Sequence, residues 1–191
     1  MFLSVILVLC CISMIESNSC DISKEKSTIY SMLQSIEKKM KEKCSANSGN
    51  CPAGWKKYKD HCYFFSPDTK IWHYAAKQCN NMGGYLVKIE DSAENSWVVS
   101  KLYESVKHNY GSWIGMADFK KEGDWRWVHD SDKVRYSQWY PGEPNNNGRN
   151  EDCGLLMTVF KYKWNDVRCN LDNTGYICEC SHGPNCRPFN G

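Results

Sequence analysis

Apolar residues recur along this chain with two periods, one helical and one extended. Ile29, Leu33, Ile36 and Met40 follow one another at alternating four- and three-residue steps, with Ile22 ahead of them. That spacing predicts an amphipathic helix over residues 20–44 with a coiled-coil period. Lys26 breaks the seam. Only two heptads or so are clean, and an isolated helix of this length is marginal in water. The stripe therefore reads either as a lone helix lying on a domain or as a short stalk joining chains. Cys20 and Cys44 bracket it. In one continuous helix they stand roughly 36 Å apart, well beyond the ~7 Å between Cα atoms that a disulfide allows. A continuous helix would thus bond Cys20 or Cys44 between parallel chains of a homo-oligomer, whereas a broken one permits the bond within a chain.

Residues 45–50, Ser-Ala-Asn-Ser-Gly-Asn, form a small polar linker. Past it the pattern becomes that of a mixed domain over residues 51–180. Cys51 to Tyr63 reads as a short hairpin. Thr69 is placed to cap a helix whose inward positions are Trp72, Ala75, Ala76, Cys79 and Met82, and Gly83-Gly84 ends it. Tyr85–Ile89 reads as a strand. Asp91-x-x-Glu94 resembles a capping box opening a second helix with Trp97, Val98, Leu102 and Val106 inward. Trp113–Met116, Trp125–Val128, Leu155–Val159 and Gly175–Cys178 read as further strands, and residues 181–191 as a tail.

Composition narrows the functional classes. A net charge of +2 over 191 residues argues for neither a nucleic-acid groove nor a polybasic membrane patch. The eight tryptophans are read as core, since a stacking platform for single strands would need a basic groove beside it. Residues 1–19 open with the apolar run Met1 to Ile12 and read as a secretory signal peptide. No later run is long enough to cross a bilayer, so a secreted, extracellular protein is expected. Twelve cysteines occur, two of them (Cys10 and Cys11) in the leader. An even remainder in an exported chain implies a disulfide framework rather than metal thiolates.

The candidate chemistry lies in one dense polar stretch. Glu143-Pro144-Asn145 is followed by Glu151-Asp152-Cys153 and answered by Trp164-Asn165-Asp166. Asn146, Asn147 and Asn150 add further amides. These motifs, with Cys51, Cys62, Cys79, Trp113-Ile114-Gly115-Met116, Cys169 and Cys178 in this order, resemble the long form of the C-type lectin domain. The Glu-Pro-Asn version is the mannose type, similar to that of mannose-binding protein and perlucin-like secreted lectins. The resemblance implies an α+β, disulfide-stapled fold, with two helices packed on antiparallel sheets and a long calcium-binding loop region. It implies the pairs Cys51–Cys62, Cys79–Cys178 and Cys153–Cys169. Cys20, Cys44, Cys180 and Cys186 are left over; Cys180–Cys186 would close a small loop, and Cys44 could equally reach the tail.

The same resemblance implies calcium as cofactor, held by Glu143, Asn145, Glu151, Asn165 and Asp166, with Pro144 cis. Those five side chains would also bind the sugar. Ca²⁺ takes about six to eight oxygen ligands, so five leave positions for two adjacent hydroxyls. A hydroxyl both donates and accepts; acids accept from it and amide NH₂ groups donate to it, so a mixed set suits it. Glu-Pro-Asn implies vicinal equatorial hydroxyls, as in mannose, N-acetylglucosamine, glucose or fucose, where Gln-Pro-Asp would imply galactose. Asp118, Glu122, Asn146 and Asp152 match a second calcium position. An enzyme is not expected: acids that hold Ca²⁺ stay ionised, whereas a general acid must carry a proton near neutrality. The expected role is glycan recognition, for microbial agglutination or adhesion. The alternative is a structural matrix protein that uses the same fold to bind calcium carbonate or protein.

Overall fold

The structure is a computed structural model and describes residues 27–39, 51–105, 108–181 and 186–188. The chain divides into two units, one ending at Asn47 and the other beginning at Ser48.

In the first unit, residues 27–39 form helix α1. Ile29, Tyr30, Met32, Leu33 and Ile36 are all more than half exposed. The expected seam residues Ile22, Lys26 and Met40, and both flanking cysteines, lie outside the described residues, as does the expected leader.

The second unit holds strands β1 (Lys56–Tyr58), β2 (His61–Phe65), β3 (Tyr85–Leu86), β4 (Gly111–Ala117), β5 (Arg126–Trp127), β6 (Cys153–Met157), β7 (Lys163–Val167) and β8 (Gly175–Cys180). Helices α2 (Trp72–Asn81) and α3 (Ser92–Glu104) complete it. The strands run in the order β1-β2-β8-β4-β6-β7, with β3 on β8 and β5 on β4. Neighbours are antiparallel except β4 and β8, which pair in parallel through Ser112 with Gly175 and Trp113 with Tyr176.

β4 is buried along its whole length, which explains its unbroken apolar run. Its side chains alternate between two cores, as a period of two requires. Trp113 packs with Trp55, Phe64, Trp72, Cys79 and Tyr176. Ile114 and Met116 pack with Val87, Ile89, Val98, Trp127 and Trp164. Gly115 lets the chains approach closely, because a Cβ there would stand 2.3 Å from the Leu86 carbonyl oxygen.

Three expected elements are altered, each by a tertiary contact. Helix α2 is not capped by Thr69. It starts after Ile71 without a side-chain cap; its first N–H group, Trp72 N, donates to Cys169 O, and Lys70 N, just ahead of the helix, donates to Thr174 O, both at 3.0 Å. The strand expected over 85–89 stops at Leu86, and Lys88 N turns to the Glu179 carboxylate at 2.9 Å. The strand expected over 155–159 ends at Met157, where residues Thr158–Phe160 coil into a 3-10 turn anchored by Thr158 Oγ1 donating to His108 O.

Other expectations hold. Gly83, at φ +78°, terminates α2, with Gly84 N bonded to Cys79 O. Asp91 caps α3 by accepting from Glu94 N at 2.7 Å. Of the inward positions expected on α3, Val98 and Leu102 are buried, Trp97 is half-buried against Tyr58 and Tyr63, and Val106 lies outside the described residues. Disulfides join Cys51–Cys62, Cys79–Cys178 and Cys153–Cys169, and a fourth, Cys180–Cys186, settles that open pairing. By loop-closure entropy the Cys79–Cys178 link, 99 residues apart, constrains the unfolded chain most, by about 4–5 kcal/mol.

Candidate functional site

Between β4 and β6 the chain runs from Asp118 to Asp152 with only β5 and one 3-10 turn, Asn147–Arg149. A loop this long needs a support. Trp164 of β7, fully buried, supplies it: Trp127, Tyr136 and Trp139 meet it edge-on at 5.8–6.0 Å. The backbone ties in as well, with Tyr140 N donating to Trp164 O and Trp164 N to Gln138 O.

The next two residues of β7 are Asn165 and Asp166, and the loop closes over them. Asp166 is 1% exposed. Its carboxylate accepts from Asn145 N at 3.1 Å and from Asn146 N at 2.7 Å. The peptide bond Glu143–Pro144 just before them is cis. Glu151 accepts from Asn147 N at 2.8 Å, and its own N–H donates to Asn146 Oδ1 at 3.1 Å. Asn146 Nδ2 in turn contacts the Glu122 carboxylate. One strand and one loop thus bring together Glu143, Asn145, Glu151, Asn165 and Asp166.

The second group adjoins the first. Asp118 is 3% exposed, accepts from Gly123 N at 2.8 Å, and meets Asp152 through a backbone bond. Burial raises the proton affinity of Glu122 first, and Asp118, Asp152 and Asp166 add to it. All nine candidate residues therefore lie in one connected region.

Its electrostatics are those of a site short of positive charge. Burial pushes the Glu143 carboxyl up to about 7, with Asp166 and then Glu151 adding to the shift. Burial also raises Glu151, partly opposed by the Asn147 amide and Arg168. Asp118 is raised by burial first, with Asp152 and Asp166 contributing. Three buried oxygens here accept no hydrogen bond: Glu143 Oε2, Asn165 Oδ1 and Asp118 Oδ1. The Asn165 amide donates to the Met157 sulfur at 3.5 Å, a weak acceptor. Unpaired buried oxygens cost about 1–3 kcal/mol each, and crowded carboxylates repel. One hard cation would relieve both. Among the described residues no group of three or more His, Cys, Asp or Glu side chains is gathered to grip an ion unaided. Acids and amides are interleaved, and Asp166 already holds the loop backbone. Oxygen-only ligands of mixed charge on a loop fit Ca²⁺ better than Mg²⁺, which demands a tighter octahedron.

Sequence reasoning treated Asp166 only as a ligand and missed its role as the clamp on Asn145 and Asn146. It also missed Met157 and Arg168. Arg168 lies two residues beyond a motif position and was detectable; nothing in the pattern marked Met157.

A profile described as the Lectin C-type domain matches residues 68–180. The Perlucin-like protein of Mytilus galloprovincialis is 65% identical over 136 residues, covering 71% of this chain and 86% of that protein. Among solved structures, the cow carbohydrate-recognition domain of CD23, determined in the presence of a GlcNAc2Man3 oligosaccharide, is similar at 34% identity with a TM-score of 0.60, over 68% of this chain and 95% of that one. A calcium-independent type II antifreeze protein is similar at 27% identity with a TM-score of 0.61, over 70% of this chain and 95% of that one. The chain spans less than two thirds of the length of longer curated relatives, 57% of one and 29% of another.

Proposed function

The chain belongs to the C-type lectin family, and from that premise we propose that it is a secreted, calcium-dependent lectin of the mannose type. The carrying observation is the pair of buried, unpartnered oxygens, Glu143 Oε2 and Asn165 Oδ1, on the two sides of the Asp166 clamp. Glu143, Asn145, Glu151, Asn165 and Asp166 would hold the ion. Calcium, when bound, supplies charge balance and open coordination positions for two neighbouring sugar hydroxyls. The protein groups do the selecting. Glu143 and Glu151 accept hydroxyl protons, and the Asn145 and Asn165 amides donate to the hydroxyl oxygens. An acid at 143 and an amide at 145 set the direction of those bonds, and that direction favours the vicinal equatorial hydroxyls of mannose, N-acetylglucosamine, glucose or fucose. The CD23 domain, whose structure was determined with a mannose-containing oligosaccharide, supports this reading. Asp118, Glu122, Asn146 and Asp152 form the candidate second calcium position.

A solvated site of this kind binds one sugar weakly. Linked copies can raise avidity about 10²–10⁴-fold. The exposed apolar stripe of α1, Ile29, Leu33 and Ile36, offers the means, and Cys20 or Cys44 would fix the oligomer covalently. Microbial agglutination or adhesion follows from such clustering. A mass in solution equal to the monomer, with and without reductant, would remove the stalk from the proposal.

The deciding experiment is capture on a mannose column in calcium. Release by chelator and by free mannose, but not by galactose, is the expected result. The second reading is a matrix or surface-binding protein that needs no sugar. The fold shared with a calcium-independent antifreeze protein favours keeping it. Passage straight through the column, with the fold intact and calcium present, would select it.

A further inference from the structure

The residues flanking the site carry an arrangement that neutral-sugar binding does not use. Among the described residues six non-glycine positions have left-handed backbones, and four belong to the two loops that meet at the site: Asn146 and Arg149 on one, Lys161 and Tyr162 on the other. Asn tolerates that region, but Arg and Lys occupy it at a steric cost that Gly would avoid. Arg149, at φ +57°, lies within the turn whose N–H bonds to Asn146 O. Lys161, at φ +54°, ends the 3-10 turn Thr158–Phe160. That turn reaches the other arm of the site, because Phe160 stacks on Tyr140 at 3.8 Å and Tyr140 O accepts from Glu143 N.

Strain is retained where the side chain is wanted. Neither cation serves the fold: both side chains are exposed, and among the described residues neither makes a hydrogen bond or ion pair. Arg168 is also exposed and makes no side-chain hydrogen bond or close ion pair, though its charge acts on Glu151. The site thus has carboxylates at its centre and free cations on its flanks. A ligand that was neutral throughout would gain hydrogen bonds from the flanks but no charge pairing. An anionic group over the centre would be repelled by Glu143 and Glu151, but one on a neighbouring ring would meet Arg149, Lys161 or Arg168.

We infer that the protein selects acidic glycans, in which the sugar in the calcium site is joined to a residue bearing a sulfate or a carboxylate that the flanking cations Arg149, Lys161 and Arg168 receive. This rests on the lectin reading above. The test compares mannobiose, its sulfate monoester and its uronic-acid counterpart by calorimetry at saturating calcium. An anionic probe should bind about fivefold tighter than mannobiose at low salt, the size expected of a few exposed charge contacts, and the advantage should shrink as salt screens it. Whichever of the sulfate and the uronate gains identifies the anion. The double variant Arg149→Gly, Lys161→Gly should cut that advantage to at most what Arg168 retains, keep the affinity for mannobiose, and melt no lower than the parent because the strain is gone. Equal affinity of the parent for all three probes would overturn the inference and leave the lectin reading standing. Binding of none, or binding that a chelator does not reverse, would overturn both.

Discussion

Two regions of this domain bury carboxylates, and they treat them in opposite ways. Under β2, β3 and β8, Glu179 is 2% exposed and Glu94 is 7% exposed. Every oxygen there is used. Glu179 Oε1 accepts from Tyr85 OH and meets His61 Nδ1, and its Oε2 accepts from Lys88 N. Glu94 Oε1 accepts from Tyr63 OH at 2.6 Å and its Oε2 from Glu90 N at 2.8 Å. In the loop region, Glu143, Asp118 and the Asn165 amide each keep a buried oxygen that accepts nothing. A buried acid satisfied by the protein's own donors is part of the scaffold. One left unsatisfied beside other acids marks where something from outside belongs. That difference, more than the count of acids, separates the Glu94–Glu179 scaffold from the loop site.

The comparison predicts opposite responses to mutation and to calcium. The largest effect should come from Glu179→Ala, which strips the acceptor from Tyr85 OH, Lys88 N and His61 at once. A loss of roughly 3 kcal/mol is expected, read as a drop in the urea midpoint and equal in calcium and in chelator. A loss that depended on calcium would mean that the two regions are not separate. Next in size is calcium itself. At about a hundredfold over its dissociation constant it should stabilise the parent by ~2.7 kcal/mol, visible as a higher melting temperature. Asp166→Ala should abolish that gain together with mannose capture, since it removes both the clamp and a ligand. Smaller again is Glu143→Gln. It removes the burial cost of the charge and the repulsion from Asp166 and Glu151 that together push this carboxyl up to about 7, so the calcium-free domain should gain a few tenths of a kcal/mol, in keeping with a partly solvated pair. The calcium-induced gain should fall at the same time. An unchanged calcium response would remove Glu143 from the ligand set.

How much of this was legible beforehand follows the same division. Density and order of acids and amides made the loop readable, because nothing in a core tolerates Glu143, Asn145, Glu151 and Asp166 in such company. The helix opened by Asp91 and Glu94 was readable from local chemistry alone. β7 was not, because Asn165 and Asp166 have low strand propensity and only pairing with β6 makes Lys163–Val167 extended. The start of α2 was misplaced because its first N–H is met by the Cys169 carbonyl and the residue ahead of it is held by Thr174, about a hundred residues away. The scaffold role of Glu179 was equally invisible: in sequence it is one acid between Cys178 and Cys180, and its donors come from β2, β3 and the segment after β3. Local signals declare residues that answer to their neighbours, and long-range partners have to be seen.

The finest test of the comparison is titration of the scaffold pair. The hydrogen bond that His61 donates to Glu179 raises His61 above its ordinary 6.5, partly opposed by burial. A histidine whose folded pKa is raised contributes stability that is complete below about 6.5 and fades as pH climbs through the folded value. His61 is about a third exposed, so solvent screening keeps the contribution under roughly 1 kcal/mol. Burial raises Glu94 as well, and its contribution runs in the same direction at lower pH, from about 4.5 upward. Glu143 would add a similar slope in chelator. The difference between the parent and His61→Gln cancels the Glu143 slope and that of Glu94 apart from its direct effect on His61. That difference should reach its full value toward pH 6, shrink above it, and be the same with and without calcium, as expected if the His61–Glu179 pair belongs wholly to the scaffold around Glu94 and Glu179. A difference that calcium altered would instead tie the pair to the loop site, through β8 and its parallel contact with β4.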